Sequence, residues 1–215
     1  MTAPPAHRRA DLEAAGLTVR GAHVVMLRAT SLTLAAGEVR AVVGEPGHGH
    51  TALALALAGR LPYDAGTVTL DGDPGAGRRR RAVALVDVPG VSEPDGPIPL
   101  STVVHEELAF ARQRRPRRVI RSWVGDLDPS TRFEDVPPPH RVALLLQLAA
   151  LRPGVRFLVL TLPERYGAEP VHWEPVAREI AASGPGVLVT VGPTTAAGLS
   201  VPTSRLGGVS EGAVA

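Results

Sequence analysis

Short apolar runs separated by turn-forming residues recur along this chain, and their period alternates between that of a strand and that of a helix. Leu17–Arg20 and Ser31–Leu34 alternate apolar and polar positions, as half-buried strands do. Val39–Val43, Ala82–Val86, Phe157–Leu160 and Val187–Val191 are short and mostly apolar throughout, the mark of strands buried on both faces. Ala65–Gly72 reads as a turn, an alternating strand and a second turn. Helical stretches lie between these runs. One spans about 51–60 and ends at Leu61-Pro62, because proline cannot continue a helix. Another runs from Val103 to about Arg112, with Ser101 or Thr102 as its cap and Glu106 and Glu107 near its positive N-terminal end. A third covers 140–151, and a fourth covers 173–182 with Pro175 in its first turn. Pro89–Pro99 is loop, and Pro137-Pro138-Pro139 interrupts any helix. Alternating β runs and helices predict an α/β fold built on a mainly parallel sheet with helices on both faces. Residues 1–16, rich in Ala and Pro, read as a mobile leader; 17–200 read as one domain, and 201–215 as a mobile tail.

Composition narrows this picture. Of the residues, 44% are hydrophobic and only 3% aromatic, so the core is expected to be Ala, Val and Leu. All 23 basic residues are arginine, and there is no lysine, asparagine or cysteine. Together with 23 Gly and 21 Pro this is the composition of GC-rich coding. The lack of cysteine excludes disulfides and thiolate metal sites and fits a cytoplasmic setting. Met1–Pro5 lacks the pattern of a signal peptide, and the apolar stretches at 52–58 and 142–151 fall short of the roughly 18–20 residues that span a membrane. The net charge of +2 is small for 215 residues. Arginines nevertheless cluster at 78–81 and 112–121. A solvated face is the default reading; without interleaved aromatics nucleic-acid binding is not indicated, and an acidic partner surface is the other candidate. Trp123 and Trp173 read as core or boundary residues.

The strongest chemical signal is Gly44-Glu45-Pro46-Gly47-His48-Gly49-His50-Thr51, between a buried strand and an Ala/Leu helix. Strand, glycine loop and helix in that order form a P-loop, G-x-x-x-x-G-K-[ST]. Gly44, Gly49 and Thr51 fall on the pattern, while the lysine position holds His50. Backbone N–H groups at such a loop cradle phosphate, and for this the glycines, Gly47 among them, suffice. Histidine, with an ordinary pKa near ~6.5, lacks the permanent charge and the reach of lysine. The alternative is that the glycines serve only a tight turn, with His48 and His50 facing solvent. The His-x-His pair alone is not expected to hold a metal.

Two longer blocks resemble the nucleotide-binding domain of ATP-binding cassette (ABC) proteins. They are LTLAAGEVRAVVGEPGHGHTALALALAGRLPYDAGTVTLDG (32–72) and RVALLLQLAALRPGVRFLVLTLP (141–163). Thr102–Phe110 also resembles the helix that opens that family's helical subdomain. The resemblance covers roughly 17–195. It implies a P-loop ABC ATPase fold with an antiparallel β part, a helical subdomain at about 95–150, and ATP or ADP with Mg²⁺ as ligand. It also places the family's chemical positions on residues of other kinds. The Walker B aspartate and the catalytic glutamate fall on Thr161 and Leu162, and the Q-loop glutamine near Asp87. The switch histidine falls on Val191 or Gly192, the signature on Glu134–Pro138, and the adenine-stacking aromatic in the region of Val24, Val25 and Met26. The expectation is an accessory pseudo-ATPase subunit without catalytic or metal-ligating residues, paired with another ABC domain or a membrane transporter subunit. It would be cytoplasmic, or peripheral to the membrane through that partner. The alternatives are a divergent active transporter ATPase using His50 and Glu164, and a stand-alone scaffold or regulatory protein.

Overall fold

The computed structural model describes residues 11–207. Its centre is a five-stranded sheet of β3 (Val39–Val43), β5 (Val83–Val86), β6 (Phe157–Thr161), β7 (Gly186–Val191) and β8 (Thr203–Arg205). The order is β5-β6-β7-β3-β8, and every neighbouring pair is parallel. Val39 pairs with Val187 and Phe157 with Gly186, so the strands run in step and their carboxyl ends form one edge. A second sheet, antiparallel, has the order β2-β1-β4, from β1 (Asp11–Arg20), β2 (Val25–Ala35) and β4 (Ala65–Leu70).

Alternate side chains of the parallel strands enter two cores. Val42, Val159 and Leu188 face α1 (His50–Leu57) and the antiparallel sheet, where Leu12, Leu32, Leu53 and Leu57 are all buried. Ala41, Leu158, Leu160, Val187 and Val189 join the opposite core with α3 (Leu100–Phe110), α5 (Pro138–Ala150) and α6 (Pro170–Ala182). Burial on both faces is what requires β5, β6 and β7 to be nearly continuous apolar runs. Phe133 and Trp173, both fully buried, supply aromatic volume to a core otherwise made of aliphatic side chains. The helical part expected at 95–150 consists of α3, α4 (Arg117–Val124), a 3-10 turn at Phe133–Asp135 and α5. Among the described residues no helix is long and apolar enough to cross a membrane.

Several local expectations are corrected. Residues 11–16, read as leader, open β1: Leu12 and Ala14 are buried and pair with Leu34 and Leu32. Residues 1–10 and 208–215 lie outside the described residues, while the stretch read as tail contains β8. The arginine run 78–81 lies on a helix, α2 (Ala76–Ala82), whose Arg79 is buried and donates to the carbonyls of Val68 and Pro74. α3 starts at Leu100 after Pro99, without a Ser or Thr cap. Glu106 and Glu107 therefore lie beyond its first turn, and Glu107 pairs with Arg152 at 2.7 Å. α5 begins inside the proline triplet, because Pro138 and Pro139 take the first positions, where no N–H is needed. In α6 that role belongs to Pro170, and Pro175 sits a turn deeper, leaving the carbonyl of the exposed Val171 without its helical donor.

Candidate functional site

Between β3 and α1 the chain turns through Gly44–Gly49, closed by a bond from the His48 N–H to the Glu45 carbonyl (3.1 Å). Gly47 and Gly49 have φ of +82° and +109°. A Cβ on Gly49 would overlap the Met26 carbonyl oxygen, so the loop packs against the start of β2 only because that position is glycine. The first α1 bond runs from the Leu53 N–H to the Gly49 carbonyl (2.8 Å). The N–H groups of Gly49, His50, Thr51 and Ala52 therefore have no intrahelical acceptor. They belong to the wall of a cavity of about 260 Å³, lined also by Gly47, Leu162 and the apolar side chains of Val24, Val25 and Met26. A phosphate fits this cradle by backbone geometry and helix dipole.

His50 does not face solvent, as the tight-turn reading expected. It is 3% exposed, and its Nε2 lies 2.9 Å from the Gly44 carbonyl oxygen. A carbonyl only accepts, so Nε2 carries the proton and donates, while the buried Nδ1 has no partner. Burial pushes the imidazole below its ordinary 6.5, against the opposing pull of the Gly44 bond and the Glu164 charge. The ring is neutral at pH 7 and holds the loop closed by a hydrogen bond rather than offering charge to a ligand. Above pH 6.5 folded and unfolded chains agree in leaving His50 neutral; below it the unfolded chain takes up the proton that the buried ring refuses. Stability is expected to fall as the pH drops below 6.5, by at most about 1.4 kcal/mol per pH unit from this group. Urea unfolding from pH 7.5 to 5 should show that slope reduced in His50→Asn, whose amide still donates but does not titrate.

At the end of β6, Thr161 is fully buried, in register with Thr190 of β7, and neither hydroxyl has a partner. Leu162 follows in the left-handed region (φ 49°, ψ 57°), uncommon for a residue with a Cβ. That bend starts a 3-10 turn, Pro163–Tyr166, which carries Glu164 back to the sheet edge. Its Oε1 accepts the Gly192 N–H at 2.6 Å, its Oε2 is buried without a partner, and its charge reaches His50. His50, Thr161, Thr190 and Glu164 thus leave four buried polar atoms unpartnered near the carboxyl edge of the sheet, the edge where ligands meet open α/β sheets.

Asp87 stands elsewhere. It also has positive φ (52°), and its carboxylate takes both Nε (3.2 Å) and Nη2 (2.7 Å) of Arg141 on α5. Both side chains are 4% exposed, and the guanidinium lies between the rings of Tyr166 (3.9 Å) and Phe133 (4.4 Å). Arg165 adds bonds to the carbonyls of Asp87 (2.7 Å) and Thr161 (2.6 Å). Val191 is buried, and its carbonyl accepts the Gly44 N–H at 3.0 Å. Of the positions singled out in the sequence, Gly47, Gly49, His50, Thr51 and Leu162 share the cavity, with Thr161 beside Leu162 at the end of β6. Gly44 is covered by Leu206, while Asp87 and Val191 serve structure. Glu164 and Gly192 join the site, and the signal that locates Glu164 is the proline that starts its turn. No carboxylate lines the cavity, and among the described residues no three His, Asp or Glu side chains are grouped to hold a metal. The donor set therefore fits phosphate and does not fit a carboxylate-held Mg²⁺.

Comparison with known proteins agrees with this geometry. Over 59 residues the chain is 44% identical to the ribose import ATP-binding proteins RbsA 1 of Burkholderia thailandensis and RbsA of Burkholderia mallei. That match covers 27% of this chain and 12% of each relative, so the chain spans only a small part of their length. Among solved structures, a putative ABC transporter ATP-binding protein from Pyrococcus furiosus superposes with a TM-score of 0.69 at 18% identity, covering 91% of this chain and 97% of that one. An ATP-binding subunit of an ABC transporter gives 0.63 at 17% identity, covering 91% and 85%. At such identities the likeness shows the fold, α/β with a parallel and an antiparallel sheet. The family model described as ABC transporter matches residues 27–136, half of the chain and the part that holds the P-loop, and the chain therefore belongs to the ABC transporter family as a nucleotide-binding domain.

Proposed function

We propose that this domain is a non-hydrolysing member of its family, an accessory or regulatory subunit that pairs with another ABC domain or a transporter's membrane subunit. The observation that carries this reading is the end of β6, where a buried threonine and a left-handed leucine follow the strand. Transfer of a γ-phosphoryl group needs metal and fixed cations to absorb developing charge, and a group that orients the attacking water. Thr161 is a poor ligand for Mg²⁺, Leu162 neither polarises nor accepts, and His50 is neutral. What the loop retains is its set of N–H donors, so ATP or ADP would be held by its phosphates. A bound but uncleaved nucleotide suits a subunit that supplies surface and ligand-dependent shape to a partner.

A second reading, a divergent active ATPase, draws support from the unpartnered Oε2 of Glu164 and its field at His50. One experiment separates the two. Purified protein with Mg²⁺-ATP is expected to release phosphate at the rate of the protein-free blank, and Glu164→Gln to leave that rate unchanged. Turnover that falls about 100-fold or more in Glu164→Gln would establish the active enzyme instead.

A further inference from the structure

Away from the P-loop, a cavity of about 510 Å³ opens beside the amino-terminal ends of β5 and β6, and Arg60, Arg80, Arg81, Arg112 and Arg152 all contribute to its wall. No aspartate or glutamate lines it; Val83, Ala84, Val155 and the ring of Phe110 (65% exposed) supply apolar surface. The arginines come from four separate parts of the chain: the end of α1, α2, the end of α3, and the turn after α5. A run of like residues in one segment is a compositional accident, whereas convergence from four segments is a property of the fold.

Three of the five are anchored. The Arg80 Nε donates to the Gly59 carbonyl (2.8 Å), and Arg152 Nη2 pairs with Glu107 (2.7 Å). Arg112 is fixed by its backbone. At the end of α3 the Arg112 N–H reaches the Ala109 carbonyl and the Gln113 N–H reaches that of Leu108, both at 2.9 Å, which is the Schellman pattern. Its left-handed position (φ 54°) is the one glycine fills best, yet an arginine stands there. The guanidiniums of Arg60, Arg81 and Arg112 form no hydrogen bond or ion pair among the described residues, and the Arg152 Nε is buried without an acceptor. Cations so gathered repel one another in the absence of a ligand, and their planar forks match phosphate oxygens.

We infer that this cavity is a second anion site, separate from the P-loop, which takes a group carrying two or more phosphate charges, with the Phe110 ring placed to cover an attached apolar part. A free phosphate compound and the headgroup of an anionic lipid both carry this chemistry. Titration calorimetry with inorganic pyrophosphate, at low ionic strength and without metal, tests it on the whole chain. Gly47→Asp, which puts a carboxylate into the P-loop cavity and so leaves only the arginine cavity to take the ligand, is expected to keep a pyrophosphate site, and the arginine changes are made in that background. Arg60→Gln/Arg81→Gln should bind at least about ten-fold more weakly. Arg112→Gly should weaken binding several-fold while raising the thermal midpoint by about 2–4 °C, since glycine relieves the left-handed backbone. A folding defect would move both readouts in the same direction, so opposed shifts identify a ligand role. Flotation with phosphatidic acid vesicles then assigns the source. Vesicle binding that pyrophosphate displaces points to a headgroup, and pyrophosphate binding without vesicle binding points to a free phosphate compound. Absence of pyrophosphate binding, or binding abolished by Gly47→Asp or indifferent to the arginine changes, would overturn the proposal.

Discussion

Arg141→Met is expected to lower the free energy of unfolding by about 3 kcal/mol, read from the midpoint and slope of urea unfolding. Methionine has similar volume and keeps the contacts with the Phe133 and Tyr166 rings, so packing is not the cause. The cost arises because Asp87, 4% exposed, is left buried without its bidentate partner. Arg165, 3.3 Å from Asp87 Oδ1, remains and holds the penalty near the lower end of the range for broken buried pairs. Adding Asp87→Asn removes the stranded carboxyl group, so the double variant should be more stable than the sum of the single effects by at least about 1 kcal/mol. Strict additivity would mean that the two side chains do not act as a pair.

Gly49→Ala is expected to cost about 2–4 kcal/mol, and Gly47→Ala only about 1–2 kcal/mol. Both have positive φ, so a Cβ strains the backbone at either position. The difference lies in the surroundings. A Cβ on Gly47 meets nothing within 4 Å, while one on Gly49 meets the Met26 carbonyl and Leu27. Relief would require the start of β2 to move off the loop, taking Val25 and Met26 from the cavity wall. Differential scanning calorimetry of the two variants compares them directly. Equal losses would show that the contact between β2 and the loop contributes little.

These residues also show what the sequence revealed and what it hid. The P-loop, the buried strands β3, β6 and β7, and α1 were legible because an apolar run flanked by glycine or proline admits few conformations. The start of β1 was not, since Leu12 and Ala14 lie in an Ala-rich stretch whose bulges around Gly16 break the alternation. α2 was hidden because a run of arginines carries no apolar stripe, although Arg79 turns inward. At the site, the apolar run showed where β6 ends, with Thr161 as its last residue and Leu162 just after it. It gave no sign of the left-handed bend at Leu162, which carries Glu164 back to the sheet edge beside Gly192. The Asp87–Arg141 pair joins residues far apart in sequence, and a single sequence gives no sign of such a contact.

The strand that enters the P-loop has an awkward history during synthesis. β3 leaves the ribosome early, but its two neighbours in the sheet are β7, which begins at Gly186, and β8, which ends at Arg205. At ordinary rates of elongation the gap between Val39 and Val187 is roughly 7–30 s. For that time a mostly apolar strand has no edge to pair with, and what can cover it is a chaperone or the antiparallel sheet, whose strands are complete by Leu70. Messages ending before residue 203 would yield a chain whose phosphate loop lacks the strap that Leu206 lays over Gly44. Such a chain is a natural substrate for quality-control proteases.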